Sequence, residues 1–260
     1  MTHPVEALWT RHHPPTGYPA RVVRVRAPIP GVAFFPGGYG LRGSEAGQPL
    51  PTFPVGGVMV LGHDFHSETG YRESLARGHE PMTQPTWRNL NALLGEVGIP
   101  PERCFYTNLY MGLREGTGTT GVFPGAADAA FVAHCKSFLI EQLRAQRPSL
   151  VLTLGVQVPP VVGVMSPELE VWSAGRGLKH LDTVGPVRAN VTWHGADDFT
   201  TTVVALIHPS LRHASVRHRR YRELVGHAAE VRMIEDALAL SGVATGPRVD
   251  ASEGRSGALR

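Results

Sequence analysis

The sequence predicts a three-layer α/β/α fold, with helices on both faces of a central, mostly parallel sheet. Short apolar runs of strand length, such as Val58–Leu61 and Pro148–Gly155, alternate along the chain with longer segments whose apolar residues recur at helical spacing. Such apolar runs are typical of strands that are covered on both faces. Strands that alternate with helices form parallel sheets, because each crossover helix returns the chain to the same edge.

The chain divides into three regions, of which the middle one carries the fold. Residues 1–54 are rich in Pro and Gly and predict an irregular arm packed on the domain, with one strand over Arg21–Arg26, where the apolar residues alternate. Residues 55–240 hold the α/β domain. Residues 241–260 are rich in Gly, Ser and charged residues, a composition that is typical of a disordered tail.

The predicted elements of the domain follow one another in a regular order. The first strand is followed by a polar loop over Glu68–Gln84, which precedes the first helix. The later elements are a helix over Thr86–Val97, a strand over Cys104–Tyr110, a loop over Gly112–Gly125, a helix over Ala126–Gln146, a strand over Pro148–Gly155, a short helix over Val156–Met165, strands over Val184–Trp193 and Thr200–Ile207, and a final helix over Val216–Leu240.

Composition and charge describe an ordinary globular protein and argue against several classes. The 260 residues are 42% hydrophobic and 18% charged, with a net charge of +3. The two cysteines, Cys104 and Cys135, form no CxxC pair, which argues against a disulfide framework, a structural zinc site and an iron–sulfur cluster. No leader-like segment and no apolar run of about 18 residues occurs, so we expect a cytoplasmic protein that does not span a membrane.

Polar residues follow three of the predicted strands at the points where the strands end. The ionisable residues His63, Asp64 and His66 come directly after the first strand. Asn108 stands near the end of the second strand, and His208 follows the last one. Because the carboxyl ends of parallel strands meet at the same edge of a sheet, these side chains are expected to share one ligand-binding crevice.

Four motifs resemble the uracil-DNA glycosylase superfamily, in the family's order and over about residues 55–240. GHDFH at 62–66 is similar to the family's first motif, which supplies a catalytic Asp or its substitute. FYTNLYMGLR at 105–114 resembles the strand that supplies the base-reading Asn, and HPSLR at 208–212 resembles the family's His-Pro-Ser motif. A looser match is RPSLVLTLGVQV at 147–158, similar to a strand that ends in Leu-Gly and leads into a helix.

The resemblance implies a DNA glycosylase that removes uracil or another deaminated base and leaves an abasic site. It implies that Asp64 positions a water and stabilises positive charge on the sugar, and that His208 hydrogen-bonds the base as negative charge develops there. Asn108 would pair with N3–H and O4 of uracil. The flipped base would stack on Trp87 or, as the second candidate, on Phe65. The other base-binding residues implied are Gly62, His63 and His66.

The resemblance also implies that DNA, single- or double-stranded, is the partner of a monomer that needs no cofactor and no metal. Contacts with DNA are expected where the His-Pro-Ser motif leads into a basic cluster, since an apolar wedge enters the base stack and arginines neutralise phosphates. The residues expected to contact DNA are Ser210, Leu211 (the wedge), Arg212, Arg217 and Arg219. No Lys stands in the motifs to form a Schiff base, so no lyase step is expected.

The first motif departs from the best-known branch of the family at two positions. Phe65 stands where that branch has Pro, and His66 stands where it has the Tyr that excludes the methyl group of thymine. The exclusion of thymine is therefore not predicted for this chain.

Two other functions and one structural role remain open on the residues alone. His63, Asp64, His66 and His208 are ligands of suitable type for a metal-dependent hydrolase. A protein of the same fold could also bind DNA or nucleotides without excising a base. Asp64 or Ser67 could simply cap the helix that follows the first strand.

Overall fold

A computed structural model describes residues 2–248, within which strands and helices alternate along the chain. The strands are β1 (Val22–Val23), β2 (Val58–Gly62), β3 (Cys104–Asn108), β4 (Leu113–Arg114), β5 (Leu150–Leu154), β6 (Val187–Trp193), β7 (Ala196–Leu206), β8 (Arg220–Tyr221) and β9 (Leu224–Val225). The helices are α1 (Pro4–Arg11), α2 (Glu68–Arg77), α3 (Pro85–Glu96), α4 (Ala129–Gln146), α5 (Val158–Gly163), α6 (Leu178–Val184), α7 (Arg212–Ser215) and α8 (His227–Ser241). None of these described helices is both long and apolar enough to cross a membrane.

The central sheet has five strands in the order β3–β2–β5–β7–β6. The first four are parallel, and β6 pairs antiparallel with β7 at one edge. The register of β2 and β3 places Gly62 directly opposite Asn108, so two of the polar strand ends are neighbours. The prediction of a mostly parallel sheet is therefore confirmed.

Helices cover both faces of this sheet, which gives the three layers that the sequence predicts. Alternate residues of each buried strand point to opposite faces. On one face Met59 and Leu61 pack in a cluster with the apolar side of α4, including Phe131 and Phe138. On the other face Val58 and Val60 belong to a second cluster, which contains buried residues of α3 and α8, including Trp87, Leu90, Leu93, Leu94, Met233 and Ile234.

The region before the domain is more regular than predicted. Residues Pro4–Arg11 form α1, whose first turn is capped by His3: its Nδ1 accepts a hydrogen bond from the backbone N–H of Val5. Val5 and Leu8 are fully buried in the cluster that faces α4. The expected strand over Arg21–Arg26 is reduced to the two residues of β1, which pair with β4.

Two further expectations about secondary structure are wrong. The predicted loop over Glu68–Gln84 contains α2, which is capped by Ser67 through a hydrogen bond from the N–H of Gly70. The final helix begins only at His227, because Gly226 has a φ of 75° that a helix cannot contain. The segment 209–225 instead forms short turns, α7 and the β8–β9 hairpin. The predicted tail lies outside the described residues from position 249 onward.

Candidate active site

A cavity of about 690 Å³ opens at the carboxyl edge of the four parallel strands. Ten of the residues singled out from the sequence contribute to its lining: Gly62, His63, Asp64, Phe65, His66, Trp87, Asn108, His208, Ser210 and Leu211. The cavity volume is in the range of ordinary small-molecule sites. All the expected catalytic and base-binding residues therefore lie around one space, while Arg212, Arg217 and Arg219 lie away from its lining.

Asp64 is held by two neighbours. Its Oδ2 accepts a hydrogen bond from Nε of Arg114 at 2.7 Å, and its Oδ1 accepts one from the Nη2 of the same guanidinium at 2.9 Å. The Nδ1 of His63 lies 2.6 Å from Oδ1. Burial alone would raise the pKa of Asp64, but the hydrogen bonds from His63 and Arg114 outweigh it and hold the pKa below its ordinary value. Asp64 is therefore a carboxylate at neutral pH.

His208 lines the cavity, and its Nδ1 is engaged within its own turn. Its Nδ1 accepts a hydrogen bond from the backbone N–H of Ser210 at 3.3 Å and lies 2.8 Å from the Ser210 hydroxyl. Burial lowers the pKa of His208; Asp64 works against this shift, and His63 adds to it. A neutral ring whose Nδ1 is an acceptor carries its proton on Nε2, which makes Nε2 a hydrogen-bond donor.

Asn108 lies at the floor of the cavity and is 3% exposed. Its Nδ2 donates a hydrogen bond to the backbone carbonyl of Phe35 at 3.1 Å, which fixes the amide plane. Its Oδ1 packs directly against the α-carbon of Gly62, where any β-carbon would overlap it. The glycine of the first motif thus leaves room for the amide of the second.

The two histidines of the first motif are also fixed in place. The Nδ1 of His66 accepts a hydrogen bond from the N–H of Ser67 at 2.8 Å, and its ring lies over Gly70 in the first turn of α2. Burial lowers the pKa of His66, so this ring is neutral at pH 7. The ring of His63 meets that of Tyr110 edge to face, with centroids 5.1 Å apart.

The two aromatic candidates for base stacking occupy different settings. Trp87 is 2% exposed, and its indole Nε1 donates to Oε2 of Glu80 at 2.9 Å. Its ring packs on Phe34 at 5.0 Å between centroids, so most of its surface is already covered. Phe65 is half-buried and lies with its ring edge over Gly37. Both line the cavity, and Phe34, which the sequence analysis missed, lines it beside them.

Glu80 is a further lining residue that the sequence does not indicate, because the composition of Glu68–Gln84 predicts only a polar loop. Glu80 is 7% exposed and lines the cavity, and its carboxyl group accepts a hydrogen bond from the indole N–H of Trp87. Burial raises the pKa of Glu80 to about 7, although its hydrogen bonds oppose the shift. The wall formed by Trp87 and Phe34 therefore contains a carboxyl group that titrates near neutral pH.

The residues expected to contact DNA differ in how accessible they are. Leu211 is 56% exposed at the rim of the cavity, and Ser210 and Arg217 are exposed as well. Arg212 is mostly buried and forms an ion pair with Glu230.

The expectation that Arg219 binds DNA does not fit the structure. Its side chain is 0% exposed, forms an ion pair with Asp182 at 3.0 Å and lies 3.4 Å from Glu230. Its Nη2 also donates to the backbone carbonyl of Ala205 at 2.8 Å. A guanidinium enclosed in this way cannot reach a phosphate, so Arg219 is a structural residue that joins β7, α6 and α8.

The metal-binding alternative finds no support in the arrangement of the side chains. Within residues 2–248, no group of three or more His, Cys, Asp or Glu residues is placed to hold a metal ion. Both oxygens of Asp64 accept hydrogen bonds from Arg114, whose permanent positive charge would oppose a cation at that carboxylate. The capping role proposed for the first turn belongs to Ser67 and not to Asp64.

A parallel sheet that gathers a carboxylate, an amide and an imidazole into one cavity at its carboxyl edge is an arrangement suited to a DNA glycosylase-type protein. The family model described as the uracil DNA glycosylase superfamily matches residues 58–226, well over half of the chain. The chain therefore belongs to the uracil-DNA glycosylase superfamily, and the resemblance seen in the four motifs is confirmed. No curated protein matches the chain significantly.

Proposed function

We propose that the protein is a monofunctional DNA glycosylase that flips uracil or another deaminated base into the cavity and hydrolyses its N-glycosidic bond. The observation that carries the proposal is that Asp64, Asn108 and His208, supplied by three different strand ends, line the same cavity. Superfamily membership supports a glycosylase-type activity, and the three side chains supply the groups that the reaction needs.

Each of the three side chains suits one part of the reaction. Breaking the bond between C1′ and the base nitrogen leaves positive charge on the sugar and negative charge on the base. Asp64 is ionised because its pKa is low. The carboxylate accepts a hydrogen bond from the attacking water and so directs the oxygen of that water to C1′. His208 donates from Nε2 to the base oxygen that gains charge, a contribution of about 2.7–4 kcal/mol in comparable sites.

The amide of Asn108 selects the base. One of its N–H groups is already committed to the carbonyl of Phe35, which leaves the other N–H and Oδ1 for a ligand. This donor and acceptor match O4 and N3–H of uracil, whereas cytosine presents the opposite pattern. Sites built on such hydrogen bonds discriminate by about 10⁴–10⁵ against a ligand that leaves them unpaired.

A cleavage assay tests the proposal directly. Fluorescent oligonucleotides that carry uracil, hypoxanthine, xanthine or a thymine mismatch are incubated with enzyme in EDTA and then treated with alkali, which breaks abasic sites. We expect alkali-dependent cleavage by the wild type that is lost in Asp64→Asn and His208→Ala. Asp198→Asn is the matched control, because Asp198 is an exposed carboxylate paired with Arg147 near the amino end of β7, whereas the cavity lies at the carboxyl end of the strand.

The other outcomes of this assay separate the alternatives. Binding of the oligonucleotides without any product, at enzyme excess and unchanged in Asp64→Asn, would refute excision and favour a DNA-binding protein of the same fold. Cleavage that appears only when EDTA is replaced by zinc or manganese would instead favour the metal-dependent hydrolase.

A further inference from the structure

The guanidinium of Arg114 connects two parts of the cavity that the sequence does not link. We propose that Arg114 is a positioning residue of the excision reaction: it joins the Asp64 carboxylate to the segment 120–122, so that the carboxylate and one wall of the cavity move as a single unit. This inference rests on the proposed function and adds to it a cavity-lining residue whose N–H donors are engaged by Asp64 and by backbone carbonyls.

All five N–H donors of Arg114 have an acceptor. Nε and one Nη2 hydrogen bind the two oxygens of Asp64. The second Nη2 hydrogen binds the backbone carbonyl of Gly121 at 2.8 Å. Nη1 binds the carbonyls of Thr120 at 3.0 Å and Val122 at 3.1 Å. Only the planar fork of an arginine can satisfy acceptors on both sides at once, since the donors of a lysine radiate from a single atom.

The segment that Arg114 binds has little else to hold it. Val122 is 68% exposed, so it contributes no apolar anchor, whereas Thr120 and Gly121 line the cavity. Phe123, which directly follows the segment, is buried and stacks on Tyr110, and the guanidinium carbon of Arg114 lies 5.5 Å from its ring centroid. The three carbonyl contacts with Arg114 therefore hold this wall ahead of the anchor that the buried Phe123 provides.

The backbone of Arg114 is also held in place. The residue belongs to the two-residue strand β4, and its N–H donates to the carbonyl of His66 at 3.0 Å, within the loop that carries Asp64. Its side chain is 7% exposed. Because both its backbone and its side chain contact the loop after β2, a shift of Arg114 must displace the carboxylate as well.

Arg114 also sets the charge that Asp64 experiences. The titratable and charged groups that face Asp64 are His63, His66, Tyr110, Arg114 and His208. Arginine is the one member of this group that stays positive at every relevant pH. An arginine beside an aspartate typically lowers the carboxyl pKa by about 1–3. Removing it should therefore raise the pKa of Asp64, although the hydrogen bond from His63 remains.

Two substitutions separate the geometric role from the charge. Arg114→Gln removes the charge and most of the donors, whereas Arg114→Lys keeps the charge and loses the fork. We measure single-turnover excision in EDTA against pH, and the titration of the Asp64 carboxyl by ¹³C NMR in the whole chain. The control is Arg219→Lys, a change at an equally buried arginine whose carboxylate partners are Asp182 and Glu230.

We expect Arg114→Gln to move the acid limb of the excision profile, and the Asp64 titration, upward by about 1–3 pH units. We expect Arg114→Lys to leave both near their wild-type positions while excision falls about 10²-fold, because a misplacement of about 1 Å has that effect. Protease cleavage between residues 115 and 123 should become faster in both variants. Arg219→Lys should lower the melting temperature and leave the acid limb unmoved.

The inference is overturned if a folded Arg114→Gln keeps the wild-type acid limb and Asp64 titration, or if Arg114→Lys excises at the wild-type rate. If Arg114→Gln does not fold, the Arg114→Lys rate and its protease sensitivity decide the matter. A wild type that excises no base would refute the proposed function. The Asp64 titration and the proteolysis of the two variants would then still show whether Arg114 holds the carboxylate and the segment together.

Discussion

Gly62 and Asn108 lie opposite each other in the register of β2 and β3, and their contact can be tested with a single methyl group. A β-carbon on Gly62 would lie well inside 3.0 Å of the Asn108 Oδ1, closer than real β-carbons approach such an atom. The φ of Gly62 is not in the left-handed region, so alanine causes no backbone strain there. The effect of Gly62→Ala therefore falls on the amide of Asn108.

The expected magnitude follows from the displacement that this overlap forces. The amide must move by about 1 Å, and a misplacement of that size in a site costs about 10²-fold in rate. The hydrogen bond from Asn108 to the carbonyl of Phe35 is strained or lost, at about 0.5–1.5 kcal/mol of stability. Replacing glycine by alanine lowers the conformational entropy of the unfolded chain, which raises the free energy of unfolding by about 0.4–1 kcal/mol. Excision should thus fall about 100-fold while the free energy of unfolding changes little.

Single-turnover excision of uracil and urea unfolding, measured on the same preparations, check this prediction. Gly118→Ala is the matched control, because a β-carbon there meets no atom within 4 Å and its φ is also outside the left-handed region. Equal rates for Gly62→Ala, Gly118→Ala and wild type would refute the assignment of Asn108 as the base-reading residue. A Gly62→Ala variant that loses activity only because it is unfolded would show up in the urea curve.

Three further predictions concern stability and DNA contact. Burial raises the pKa of Glu80 from 4.5 to about 7, so the folded protein binds more protons than the unfolded chain between these pH values. The free energy of unfolding should therefore fall as pH rises through this window. Urea unfolding at several pH values should show that Glu80→Gln removes this dependence on pH. Arg219→Met leaves Asp182 without its buried cation and Glu230 with Arg212 alone, and it should cost about 3–5 kcal/mol in urea unfolding; a cost within the range of surface substitutions would contradict the structural role. Leu211→Ala should leave the melting temperature unchanged, because the side chain is 56% exposed, and should slow excision from duplex more than from single-stranded oligonucleotides; equal slowing on both would argue against a wedge.

The sequence predicted the edge of the sheet well because strand ends are marked locally. An apolar run that stops at a glycine and continues with polar residues defines where β2 ends, and the same reasoning placed Asn108 and His208. Because the strands are parallel, their carboxyl ends all lie at the same edge of the sheet. No knowledge of side-chain packing is needed to predict that these residues share a cavity.

The residues that the sequence analysis missed come from segments without a periodic signal. Phe34 lies in the Pro- and Gly-rich region before the domain, and Glu80 follows α2, a helix in a segment whose sequence predicts a loop. Arg114 belongs to a strand of two residues, too short to leave a pattern. Each is brought to the cavity by contacts between residues that are distant in the sequence. The periodicity of a single sequence does not show such contacts.

In the arginine cluster after the His-Pro-Ser motif, the sequence predicts a DNA contact that the structure does not support. Arg217 and Arg219 are two residues apart in a basic run, yet the first is exposed and the second is fully buried. The difference is set by Asp182 of α6 and Glu230 of α8, which the fold brings around Arg219 from both directions along the chain. A run of like charges predicts an attractive potential for DNA, but it does not predict which members reach the surface.

The two buried arginines, Arg114 and Arg219, are chemically alike, and their difference in location is informative. A buried ion pair adds little net stability, because the desolvation of both partners offsets their attraction. The Arg219 pairs lie between elements of the fold, where removing one partner leaves a buried charge uncompensated and should destabilise the protein. The Arg114 pair lies in the cavity wall, and its carboxylate, Asp64, faces the same space as His208 and Asn108. A pair that costs desolvation and sits among the proposed reacting groups is better explained by the orientation it imposes on Asp64 than by stability, and paired substitutions at the two arginines distinguish these roles.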